Sequence, residues 1–158
     1  MSKSIIKGSL SAISKQKGQT LAESFLSCDV LLVCDMSGSM ADKDAPGGVS
    51  RYEVAEQDVI RLQEKYQGKV ALVCFSSTVQ FCPNGVPIRF GGGTDLVQAL
   101  KFVKPVDGTD TKIILISDGE PFSKDECLRI AKTFKSKIDV VILLKLRPKS
   151  GLYRSTHR

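Results

Sequence analysis

The sequence predicts an α/β protein with a doubly wound, mostly parallel sheet flanked by helices. Short apolar runs alternate with longer segments whose apolar residues recur at helical spacing, which is typical of parallel strands joined by right-handed crossovers. The predicted strands are residues 29–34, 69–75, 78–82, 112–117 and 138–144. Helices are predicted at 51–66, 94–103 and 123–136, with a short helix within 18–27.

The connections between the strands predict their order. Only Ser76 and Ser77 separate the second strand from the third, so the third must run antiparallel to the second. We therefore predict the order 3-2-1-4-5, in which the first and fourth strands are neighbours and the chain diverges from them in opposite directions. Such sheets bind ligands at the carboxyl ends of these two strands. Asp35 and Asp118, which follow them, are expected to stand side by side.

Cap residues predict where the helices begin and end. Ser50 followed by Glu53 matches a capping box before the 51–66 helix, and Gly68 is expected to end that helix. Ser123 is expected to cap the 123–136 helix.

Charge is distributed unevenly along the 158 residues, which have the length of one domain. We divide the chain into an N-terminal arm (1–17), a globular domain (18–144) and a basic tail (145–158). The formal net charge of +6 comes from the ends, which hold four and five basic residues and no acidic ones. Because the basic tails carry no nucleic-acid recognition motif, we keep a nucleic-acid binder only as a less favoured alternative.

Hydropathy and cysteine content predict the compartment. No apolar run approaches the roughly 20 residues that span a membrane, and the N-terminus lacks the apolar core of a secretory signal. The five cysteines are odd in number and form no Cys-x-x-Cys pair. We interpret them as reduced thiols of a cytoplasmic protein, with a metal–thiolate site as the less favoured alternative.

The stretch Asp35-Met36-Ser37-Gly38-Ser39-Met40 is the first candidate site. It places one carboxylate and two hydroxyls on a short loop after a buried strand. Oxygen ligands suit a hard cation such as Mg²⁺ and hold zinc poorly. Taken alone, the stretch is also compatible with an ordinary strand-to-helix turn that contains an N-cap.

Two further motifs accompany it, Gly91-Gly92-Gly93-Thr94-Asp95-Leu96 and Ile113-Ile114-Leu115-Ile116-Ser117-Asp118-Gly119. In order and spacing, the three together resemble the metal-ion-dependent adhesion site of the von Willebrand factor A domain. The resemblance runs from about Asp29 to Leu144 and implies a Rossmann-like fold.

The resemblance implies a role for each site residue. Ser37 and Ser39 would bind Mg²⁺ or Mn²⁺ through their hydroxyls, and Thr94 would bind it directly or through a water. Asp35 and Asp118 would act from behind, through waters and by orienting the serines. The implied function is a metal-dependent protein-interaction module, in which a Glu or Asp of a partner protein completes the coordination.

Two other interpretations concern Asp95 and Asp35. Asp95 stands at a helix start, where a carboxylate favours the helix dipole, and we prefer that role to metal binding. An Asp after the first strand also opens haloacid-dehalogenase-type phosphatases, but these need a second carboxylate two residues later, where this chain has Ser37. We therefore expect no enzyme, and keep a metal-dependent hydrolase as the alternative.

The last predicted strand departs from the family pattern. Members of the family usually continue with a further strand and a C-terminal helix, whereas residues 145–158 are basic and lack an amphipathic period. The 138–144 strand is apolar on both faces, yet is expected to lie at an edge. We expect the N-terminal arm, a second copy or a partner to cover it, with self-association slightly favoured.

Overall fold

A five-stranded mixed sheet organises the computed structural model, which describes residues 9, 11, 12, 18, 20–66, 69–118 and 123–143. Its strands are β1 (Val30–Asp35), β2 (Val70–Phe75), β3 (Val79–Phe81), β4 (Lys112–Ser117) and β5 (Ile138–Ile142). Their order is β3-β2-β1-β4-β5; β3 runs antiparallel to β2, and the other pairings are parallel. The predicted order and strand directions are confirmed.

The central strands are buried on both faces. All six residues of β1 and all six of β2 are buried, as parallel strands covered by helices require. Cys34 of β1 lies opposite Cys74 of β2 and Ile116 of β4, so the three strands end almost level. This register brings the loops after β1 and β4 to the same edge of the sheet.

Among the described residues, four longer helices cover the two faces: α1 (Leu21–Leu26), α2 (Arg51–Lys65), α3 (Leu96–Val103) and α4 (Lys124–Ala131). Helices α1, α3 and α4 pack on one face, in a core that includes Leu31 and Val73. Helix α2 packs on the other face, in a core that includes Leu32 and Leu72. Each fully buried leucine of this kind contributes about 1.5–3 kcal/mol relative to an exposed one.

The helix caps confirm one sequence prediction and correct two. Ser50 and Glu53 form the predicted capping box, with bonds of 3.3 and 2.8 Å to each other's backbone N–H. Ser123 is not a side-chain cap, because it adopts a left-handed backbone with φ of 55° and makes no capping bond. Helix α4 also ends at Ala131, five residues before the predicted end. Gly68 lies outside the described residues.

Strand β5 is the outermost strand of the described sheet on its side. Val140 and Ile142 are half exposed, so the expected edge position is confirmed. Ser9, one of the few described residues of the N-terminal arm, pairs instead with Val70, and the Ser11 N–H donates to the Pro83 carbonyl. The described part of the arm therefore lies on the β2–β3 side of the sheet and does not cover β5. The rest of the arm and the 145–158 tail lie outside the described residues.

Candidate metal centre

Asp35, at the end of β1, accepts hydrogen bonds both from the loop that follows β1 and from the end of the neighbouring strand β4. Its Oδ1 accepts the Ser37 N–H at 2.9 Å, and its Oδ2 accepts the Ser117 hydroxyl at 3.0 Å from the end of β4. Burial raises the pKa of Asp35, the Asp118 carboxylate adds to the rise, and the bonds from Ser37 and Ser117 oppose it. The two hydrogen bonds therefore hold the Asp35 carboxylate in place. They offset only part of the free-energy cost of burying its charge.

Two serine hydroxyls and a second carboxylate converge beside Asp35. Ser37 is buried, and Ser39 is half-buried in a 3-10 turn spanning Gly38–Ala41. The two Oγ atoms lie 3.2 Å apart, and the Ser39 hydroxyl lies 2.6 Å from Oδ2 of Asp118, to which it donates. Oxygen atoms from the ends of β1 and β4 thus form one contiguous cluster, as the strand order predicted.

The glycine-rich loop is tied to this cluster through its backbone. The Gly38 N–H donates to the Gly92 carbonyl at 2.9 Å, and the Gly91 N–H donates to the Met36 carbonyl at 3.1 Å. Gly92 has a φ of +86°, which strains any residue with a side chain, and a Cβ there would lie 3.1 Å from the Ser77 hydroxyl.

Thr94 follows this loop contact by two residues. It is 7% exposed, and its side chain makes no hydrogen bond to another described residue. Asp95, by contrast, accepts the Gln98 N–H at 3.1 Å and caps α3, the helix-start role that the sequence favoured. Thr94 is thus a buried residue close to the loop contact, and its hydroxyl has no hydrogen-bond partner among the described residues.

Arg51 is a site residue that the sequence analysis missed. Its side chain is 1% exposed, and its Nη1 donates to Oδ2 of Asp118 at 2.8 Å. Its Nε donates to Asp44 and its Nη2 to Asp42, each at 2.9 Å. The two aspartates in the loop before an arginine at a helix start were the only sequence signal, since the contact with Asp118 spans 67 positions.

Tyr52, the next residue of α2, supports the loop after β1. Its hydroxyl lies 2.7 Å from the Ser37 carbonyl oxygen and 3.1 Å from that of Met36. The Arg89 guanidinium, which is paired with Glu56, lies 5.3 Å from the centre of the tyrosine ring. This polar contact of Tyr52 was not predicted from the sequence and is an additional finding.

The donor set suits a hard cation that is held weakly. Among the described residues, no cluster of three or more histidine, cysteine, aspartate or glutamate side chains is placed to hold a metal ion. The available donors are hydroxyls backed by carboxylates, which fit the oxygen preference of Mg²⁺ but form no charged cage of their own. By their chemistry, these residues would fit a cation that keeps several of its waters.

The five cysteines are buried free thiols. Burial raises the pKa of Cys28 to about 11 and also raises that of Cys34, which keeps both thiols protonated at neutral pH. These thiols fit the interpretation of reduced core residues, while the cytoplasmic location stays a prediction. In the part of the chain that the structure describes, no helix has the length and apolar character needed to cross a membrane.

Comparisons with known proteins identify the fold through solved structures alone. No protein-family model matches the chain, and no curated protein matches it. A structure described as an aerotolerance-related membrane protein from Bacteroides fragilis, with multiple mutations to serines, matches with a TM-score of 0.55 and 16% identity. That match covers 80% of this chain and 75% of the other.

A second structure, the conserved hypothetical protein BatB from Bacteroides thetaiotaomicron, matches with a TM-score of 0.50 and 20% identity. The match covers 72% of this chain and 64% of the other. At these identities the likeness establishes the fold alone. The chain has a Rossmann-like fold of the von Willebrand factor A type, as its three motifs implied.

Proposed function

We propose that this chain is a metal-dependent protein-interaction module. In this proposal Ser37, Ser39 and Thr94 hold Mg²⁺ or Mn²⁺, with Asp35 and Asp118 behind them. A Glu or Asp side chain of a partner protein completes the site. The observation that carries the proposal is the convergence of the Ser37, Ser39 and Asp118 oxygens at the carboxyl ends of β1 and β4.

The hydrogen bonds orient the hydroxyls for this task. Because the Ser39 hydroxyl donates its hydrogen to Asp118, the Ser37 hydroxyl must donate across the 3.2 Å contact between the two Oγ atoms, which leaves one lone pair of the Ser39 Oγ for a cation. Asp35 accepts the Ser37 N–H and thereby fixes the backbone that carries the Ser37 hydroxyl. When bound, a divalent cation held mostly by neutral hydroxyls keeps a strong attraction for a carboxylate, which is the chemistry of a charge-assisted contact.

Thermal melts with and without metal test the metal step. At a Mn²⁺ concentration ten times its Kd, the parent should gain about 1.4 kcal/mol, or roughly 3–6 °C for a domain of this size. Asp35→Asn should lose most of this gain. Asp29→Asn is the matched control, because Asp29 precedes β1 at the opposite end of the strand and bonds the Lys69 N–H. Equal metal-induced shifts in Asp35→Asn and the parent would refute the assignment.

A binding assay with an acidic peptide tests the partner step. The peptide should bind in Mg²⁺ or Mn²⁺ and be released by EDTA, and a peptide with Gln and Asn in place of Glu and Asp should not bind. Binding to DNA or RNA that falls steeply with salt would favour the nucleic-acid alternative instead. Metal-dependent phosphatase turnover that disappears in Asp35→Asn would favour the hydrolase.

A further inference from the structure

The guanidinium of Arg51 is buried among three carboxylates at the back of the proposed metal centre. Its side chain is 1% exposed; Nη1 donates to Asp118, Nε donates to Asp44, and Nη2 donates to both Asp42 and Asp44. The Asp118 side chain is fully buried, whereas those of Asp44 and Asp42 are 31% and 65% exposed. A buried charge is costly unless it is paired, so Arg51 and Asp118 depend on each other.

The contact with Arg51 determines how Asp118 faces the serines. Oδ2 of Asp118 accepts both the Nη1–H of Arg51 and the hydroxyl of Ser39, at 2.8 and 2.6 Å. The guanidinium is itself fixed by Asp42 and Asp44, which lie in the loop between the site and α2. Since the guanidinium is planar and its donors have fixed directions, these bonds define the position of Oδ2 in a way that a single ammonium could not.

We propose that Arg51 is a positioning residue of this centre, which holds Asp118 and through it the Ser39 hydroxyl in the arrangement that receives a divalent cation. This inference rests on the proposed function. In its terms Arg51 does not touch the cation; it keeps the Ser39–Asp118 pair assembled before any cation arrives. Arg51 also compensates the charge of Asp42 and Asp44, which reduces the repulsion that an acidic partner would meet beside the site.

Mn²⁺ titration of the full 158-residue chain, followed by the loss of the free-ion electron paramagnetic resonance signal, tests the proposal. The variants are Arg51→Met and Arg51→Lys, each measured well below its melting temperature. Arg61→Met is the matched control, since Arg61 lies on the same helix, is exposed and pairs with Asp58. Val59→Ala controls for lost stability, because Val59 is fully buried in α2 outside the cluster.

Arg51→Met should raise the Kd for Mn²⁺ by roughly 10–100-fold, the usual effect of removing a group that orients a metal ligand. Arg51→Lys should fall between Arg51→Met and the parent, and both controls should bind as the parent does. Unchanged or tighter binding in folded Arg51→Met overturns the proposal. If Arg51→Met does not fold, parent-like affinity in Arg51→Lys overturns it. Absence of Mn²⁺ binding by the parent would instead refute the proposed function, and this inference with it.

Discussion

Replacement of Arg51 by methionine should destabilise the metal-free protein strongly. Methionine fills much of the same volume but offers no donor to Asp118, whose side chain is fully buried and hydrogen-bonded to Arg51 at 2.8 Å. Removal of one partner of a buried ion pair costs about 3–5 kcal/mol, because the other charge is left without compensation in the interior. The lost contacts with Asp42 and Asp44 add little, since both carboxylates are partly exposed and water takes over their solvation.

Comparison with Asp118→Asn isolates the buried pair. Asparagine leaves Arg51 with its two loop carboxylates, so we expect only about 1.5–3 kcal/mol, the value of a hydrogen bond to a charged group. The double variant carries neither charge of the buried pair. Its loss should therefore be smaller than the sum of the single losses by about 0.5–3 kcal/mol.

Urea denaturation in EDTA, followed by circular dichroism, measures these free energies. In a thermal melt, the expected loss for Arg51→Met corresponds to a fall of roughly 6–20 °C in a domain of this size. Two results would refute the reasoning: a loss below about 1 kcal/mol in Arg51→Met, or single-variant losses that add within about 0.5 kcal/mol.

Three further predictions concern the glycine-rich loop, a buried carboxylate and the β5 edge. Gly92→Ala should lower the free energy of unfolding by about 1–2 kcal/mol for its left-handed backbone, plus the cost of the clash between its Cβ and the Ser77 hydroxyl. Gly48→Ala, which has a φ of +71° and open space around it, should lose the backbone part alone in the same urea assay. Burial raises the pKa of Asp107, but the bonds from Lys104 and two backbone N–H groups outweigh this and hold it well below its usual range. Asp107→Asn should therefore be less stable than the parent at neutral pH in urea titrations, and the difference should shrink as the pH falls below about 4, the unfolded value, towards the folded pKa. Light scattering should find the parent self-associated through β5 and Val140→Lys monomeric, because Val140 is 52% exposed on this edge strand; a monomeric parent would contradict the expectation.

The strand order could be predicted because its causes are local in the sequence. Five apolar runs of strand length determine the elements, and the two-residue Ser76-Ser77 link determines that β3 is antiparallel. The position of Asp35 and Asp118 at one edge then follows from the alternation of strands and helices alone. The capping box of Ser50 and Glu53 could be predicted for the same reason, since both partners lie within one helical turn.

Contacts between distant residues could not be predicted in this way. Arg51 is a charged residue at the start of a helix, a position where a side chain is usually solvated. It is buried because Asp118, 67 positions later, accepts its Nη1–H. Ser123 failed as a predicted cap for a related reason. Its residue type favours a cap, but its backbone adopts a φ of 55° and its side chain makes no capping bond. Periodicity and propensity report neither of these features.

The first turn of α2 supports the candidate site from two sides. Arg51 bonds Asp118 at the end of β4, while the next residue, Tyr52, bonds the carbonyls of Met36 and Ser37 after β1. The capping box at Ser50 fixes the backbone from which both side chains extend. A shift of this turn would disturb both halves of the oxygen cluster together, because its bonds reach the ends of both β1 and β4. The geometry of the site therefore depends on the N-terminus of α2 as much as on the residues that line it.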